Sequence, residues 1–169
     1  SQMKSAIAKF AQKVTDAGTD TIALLYYAGH GVQIDGTNYL VPVDANVNTA
    51  GDVVLGAVSA TDLLKTLELA RAKVNVLVLD ACRNNPFKSN TRGFSRGLAR
   101  VEAPPGSIVA YATAPGQVAA DGDGNNSPYA EALSRNLATP GLALESIFRQ
   151  VRIEVSDKTE GAQVPWEET

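Results

Sequence analysis

The 169-residue chain has one cysteine, Cys82, and one histidine, His30. A single thiol excludes an internal disulfide, and one residue of each type is too few for a Cys/His zinc site of three or four ligands. Nucleophilic catalysis remains. A neutral thiol attacks poorly, but an imidazole whose pKa lies near neutrality can take its proton and later return it to a leaving group. Gly31 has no side chain to hold off a substrate carbonyl, so its N–H could join that of Cys82 as an oxyanion hole. Composition alone leaves a second reading open: a buried structural thiol and an unrelated histidine hydrogen-bonded within a glycine loop.

For the pair to work, the fold must bring together two positions 52 residues apart. In open α/β sheets, sites form beyond the carboxyl ends of the strands. Residues 21–27 are a continuous apolar run of the kind expected for a strand buried on both faces, and they lead into Ala28-Gly29-His30-Gly31. Residues 74–80 read as a second such strand with Cys82 just past it, and 107–112 as a third. His30 and Cys82 thus each follow a strand by two or three residues. Before the first strand, Ile7, Phe10, Ala11 and Val14 mark one face of a helix that stops near Gly18. Residues 32–43 read as a hairpin turning at Asp35-Gly36, and 44–58 as a polar loop. Ser59-Ala60-Thr61-Asp62 opens a helix with Leu63, Leu64, Leu67 and Ala70 on one face. Residues 83–106 form a long, basic, Gly/Pro-punctuated loop, of a length usually functional in a compact domain. A glycine-rich loop over 113–127, helices over 128–137 and 143–155, and a short strand over 163–166 complete the chain. Alternating strands and helices indicate an α/β fold with a mainly parallel sheet.

Composition narrows the function. At 44% apolar, 20% charged and a mean hydropathy of −0.07, the chain is ordinary globular protein, enough for one domain with a core. A net charge of −3 and a pI of about 5.1 do not suit a nucleic-acid scaffold. No run approaches the roughly 18 apolar residues of a membrane span. Ser1-Gln2-Met3-Lys4 opens no signal peptide, which favours the cytoplasm; an upstream signal already removed would instead imply a periplasmic or secreted protein. No glycine-rich phosphate loop follows a strand, which disfavours nucleotide binding. Asp121-Gly122-Asp123-Gly124-Asn125 looks like a calcium loop, but counting from Asp121 puts Asn126 and Ala132 where an EF-hand needs Gly and Glu. It reads as a polar turn, and no metal site is expected.

The local sequence around the dyad carries a resemblance. In caspases the nucleophile lies in Gln-Ala-Cys-(Arg/Gln/Gly)-Gly, with a His about 50 residues upstream; here Asp80-Ala81-Cys82-Arg83-Asn84 follows His30 at that distance. Tyr26-Tyr27-Ala28-Gly29-His30-Gly31 is similar to the caspase histidine motif. Tyr111-Ala112-Thr113-Ala114-Pro115-Gly116 is similar to the strand and loop that open the caspase small subunit. From about Phe10 to Trp166 the chain therefore resembles the caspase-like cysteine peptidases (clan CD, peptidase family C14), closest to the bacterial metacaspase- and paracaspase-like members known as orthocaspases.

The resemblance implies a three-layer α/β/α sandwich and one peptidase domain over 1–169. Its large-subunit-like part would span about 1–90, a basic linker about 83–106, and a small-subunit-like part 107–169. The family's first strand–helix–strand segment has no counterpart here. Cys82 would attack the scissile carbonyl, His30 would act as acid and base, and the N–H groups of Gly31 and Cys82 would hold the oxyanion, with no cofactor. Asp80 stands where caspases have Gln. Asp121 lies five positions past Gly116, where they have the Arg of a Ser-Trp-Arg run. The resemblance puts both at the border of the S1 pocket, and two acids there imply Arg or Lys at P1 instead of Asp. Lys88, Arg92, Arg96 and Arg100 become candidate self-processing sites. The expected partners are peptides or proteins with a basic P1, and the chain's own N-terminal segment or a second copy is a further candidate; nucleic acid and membrane are not expected. The rival reading is a non-catalytic caspase-fold scaffold or dimerisation module.

Overall fold

A computed structural model describes residues 1–82, 94–95, 97–117, 119 and 126–169, with the backbone alone at 82, 94 and 95. The candidate residues Lys88, Arg92, Arg96 and Asp121 lie outside the described residues.

The order along the chain is α1 (Gln2–Ala17), β1 (Ile22–Ile34), β2 (Thr37–Leu40), α2 (Ala50–Gly56), β3 (Val58–Ser59), α3 (Ala60–Leu69), β4 (Val74–Cys82), β5 (Phe94–Ser95), β6 (Ser107–Tyr111), α4 (Pro128–Leu137), α5 (Leu144–Lys158) and β7 (Trp166–Glu168). Among the described residues, seven strands make one sheet in the order β3-β2-β1-β4-β6-β7, with β5 paired to β1. The long ladders, β1 with β4 and β4 with β6, are parallel, and antiparallel strands flank them.

Helices cover both faces. The residues Val76, Val78, Ile108 and Ala110 pack under Tyr129, Leu133, Phe148 and Val151 of α4 and α5. Their neighbours Leu77, Leu79, Val109 and Tyr111 pack against Leu63 and Leu64 of α3, with Met3 and Ile7 of α1 beside them. Alternate residues of one strand thus enter opposite cores, which is why β4 and β6 read as unbroken apolar runs.

Several expectations change at the margins. β1 was expected to be buried on both faces, yet Ile22 and Tyr26 are 62% and 39% exposed, because α4 and α5 cover β4 and β6 more fully than β1. β1 also runs on through Gly29-His30-Gly31, since residues 31–34 pair with β2. Asp35 and Gly36, with φ of 48° and 80°, form the expected turn. The loop expected over 44–58 contains α2, capped by a reciprocal pair: the Thr49 side chain accepts from the Asp52 N–H, and the Asp52 carboxylate accepts from the Thr49 N–H. The last strand begins at Trp166 and not at Gln163. Gln163 is buried, and its amide donates to the Ala112 carbonyl across 2.7 Å.

Candidate active site

β1 and β4 are parallel neighbours in a register that puts His30 directly opposite Cys82. Adjacent strands lie about 4.8 Å apart, so residues 52 positions apart in sequence become cross-strand neighbours at the carboxyl end of the sheet. His30 lies within β1, where the sequence suggested a loop beyond the strand, and Cys82 is the last residue of β4. The His30 carbonyl accepts from the Val41 N–H, beside β2, at 2.9 Å. Backbone groups of successive strand residues point to opposite edges, so the Gly31 N–H is turned to the side on which β4 ends.

The His30 backbone is fastened from below. The Tyr27 hydroxyl lies 2.7 Å from the His30 carbonyl and 3.0 Å from that of Val41, bridging β1 to the residue after β2. Burial pushes this phenol up to about 12, so it remains a donor through the neutral range. Gly29 makes room for it, since a Cβ there would stand 2.8 Å from the Tyr27 hydroxyl oxygen. Gly31 has a packing reason to be small besides the one the sequence suggests. A Cβ at Gly31 would meet Leu98 at 2.9 Å and Ala81 at 3.0 Å, so a side chain there would have to displace these core neighbours.

Asp80 is 3% exposed and sits under the first turn of α4. Its Oδ2 accepts from the Tyr26 hydroxyl at 2.6 Å and from the Ser127 hydroxyl at 2.5 Å. Its Oδ1 is buried and has no hydrogen-bond partner among the described residues. Tyr129 packs alongside, and its phenol is pushed far above the ordinary range, first by burial and then by the Asp80 charge. Asp80, Tyr26 and Ser127 line a cavity of about 540 Å³. A second cavity, of about 720 Å³, is walled by His30, Pro42, Val43 and Val47. Ala28 and Gly29 belong to both, so the two hollows adjoin across β1 beside His30.

Arg100 is far from free. It forks onto Glu168, with Nε 2.7 Å from one carboxylate oxygen and a terminal nitrogen 2.8 Å from the other. On either side of it, the Ala99 N–H donates to Asn38 and the Val101 N–H to the Tyr111 hydroxyl. Among the described residues no group of three or more His, Cys, Asp or Glu side chains could share a metal ion, and no helix is long and apolar enough to cross a membrane. Sequence reasoning missed Tyr27 and Ser127 as supports of the site. Ser127 left one signal, a Ser-Pro pair ahead of an amphipathic stretch, which marks a helix N-cap.

An α/β/α sandwich with His and Cys opposed at the carboxyl ends of adjacent parallel strands defines a class, and the chain belongs to it: residues 1–169 match the Peptidase C14 family, the caspase domain. Part of the chain is also similar to human mucosa-associated lymphoid tissue lymphoma translocation protein 1, at 34% identity over 82 residues. That match covers 48% of this chain and 9% of the human protein's length.

Proposed function

We propose that the chain is a cysteine endopeptidase that cleaves after Arg or Lys. Its observed support is the Asp80 carboxylate, two residues before Cys82, buried on a cavity wall with two hydroxyls on one oxygen and no partner for the other among the described residues. A buried acceptor without a donor is costly, and a P1 guanidinium or ammonium supplies both the donor and the charge. His30 takes the Cys82 thiol proton as the sulfur attacks the scissile carbonyl. The N–H groups of Gly31 and Cys82 receive the oxyanion, and His30 then protonates the departing amine. Water attack on the thioester, with His30 as base, regenerates the thiol. The test is a matched set of fluorogenic peptides with Arg, Lys, Gln or Asp at P1. Turnover should favour Arg and Lys and be undetectable for Asp, because an Asp side chain would bring a further carboxylate into an acidic pocket. No turnover of any of them would leave the non-catalytic module as the reading.

Self-processing belongs to the same proposal. The ion pair and flanking hydrogen bonds around Arg100 argue against a cut there: the leaving amine would be that of Val101, a residue 8% exposed whose N–H is already bonded to Tyr111. Mass spectrometry of the purified wild type should therefore find new termini after Lys88, Arg92 or Arg96 and none after Arg100. The Cys82→Ala protein should remain whole. A fully active wild type with an intact chain would count against processing.

A further inference from the structure

We propose that Ser127 and Tyr26 are positioning residues for Asp80, which fill Oδ2 and so reserve Oδ1 for the cation of the substrate. The inference rests on the reading of Asp80 as the P1 carboxylate and says what makes it one. Each carboxylate oxygen has about two acceptor positions. The Tyr26 and Ser127 hydroxyls, at 2.6 and 2.5 Å, take both on Oδ2. The two donors come from different elements, β1 and the start of α4, so the carboxylate cannot rotate without breaking a bond to one of them.

The Ser127 hydroxyl is itself fixed. Its single hydrogen points at Asp80, while its oxygen accepts the Ala130 N–H at 2.9 Å as the N-cap of α4. The carboxylate is thereby tied to the first turn of a helix. What remains is Oδ1, buried, without a partner among the described residues, on a carboxylate that lines the 540 Å³ cavity. A side chain that has only one free oxygen cannot clasp a guanidinium with two parallel hydrogen bonds. Asp80 held in this way selects positive charge without by itself distinguishing Arg from Lys.

The test compares kcat and KM for peptides with P1 Arg, Lys and citrulline, the last a neutral counterpart of Arg. In Ser127→Ala, KM for the Arg and Lys peptides should rise about tenfold, or about 1.4 kcal/mol, with kcat little changed. The preference for Arg over citrulline should fall by the same factor, and the Arg-to-Lys ratio should hold. Ser127→Thr, which keeps the hydroxyl, should restore both constants to within about threefold. A second readout needs no turnover: the agmatine concentration that halves the rate of Cys82 alkylation by iodoacetamide should rise about tenfold in Ser127→Ala. Should loss of the cap unfold that variant, Tyr26→Phe removes the other donor without touching a helix end and should show the same pattern. Unchanged KM, selectivity and agmatine protection in a folded variant lacking either hydroxyl would overturn the proposal. An Arg-over-citrulline preference left undiminished by Asp80→Asn would instead remove the P1 reading on which it rests.

Discussion

Cys82→Ala and His30→Ala should each lower hydrolysis of an Arg-P1 peptide by about four decades or more, and the double variant should be no worse than either single one. Non-additivity of this kind is what a nucleophile and its base give when they act as one unit. The expectation rests on the parallel register that opposes the two residues. His30 is exposed and contributes nothing to either core, so its removal should leave Tm and circular dichroism near the wild type. Iodoacetamide should inactivate the wild type with one carboxamidomethyl group per chain, located at Cys82. Activity within tenfold of the wild type in Cys82→Ala would end the assignment.

The second large effect concerns charge at P1. A cation about 4 Å from a carboxylate gains about 4 kcal/mol at an effective dielectric near 20, and desolvation takes back roughly half. About 2 kcal/mol is roughly thirtyfold in kcat/KM. Asp80→Asn and Asp121→Asn should therefore each weaken Arg-P1 cleavage by one to two decades. The rate of Cys82 alkylation without ligand should stay the same, since neither change alters the thiol. Indifference to charge at P1 in the wild type, or a preference for Asp, would contradict the reading of both acids.

What the sequence made legible was set by periodicity and by short-range chemistry. β4 is buried on both faces, and Val76, Leu77, Val78 and Leu79 are all within 1% of complete burial, so its apolar run was plain. Asp35-Gly36 announced its turn because positive φ is restrictive. The glycines beside His30 misled in the opposite direction. They suggested a loop, yet β2 pairs alongside and keeps the chain extended, and the small residues serve Tyr27 and Leu98. α2 was hidden in a polar stretch, although Thr49 and Asp52 already had the spacing of a reciprocal cap. The hold on Asp80 was not legible at all. Ser127 lies 47 positions further on, and only the packing of α4 over β4 brings its hydroxyl to that carboxylate.

β4 precedes the basic stretch over 83–106 and β6 follows it, and the two strands are hydrogen-bonded neighbours over five register pairs. Asn38, from the hairpin, grips the backbone of Ala99 with both ends of its amide, at 2.7 Å each. Scission between Cys82 and Ala99 would thus break covalent continuity without separating the pieces, each of which completes the other's sheet. A nicked molecule would run as two bands in detergent and sediment as one particle in buffer. Its refolding would become a second-order reunion of two fragments, so its melting temperature would rise with protein concentration, where that of the uncut chain would not.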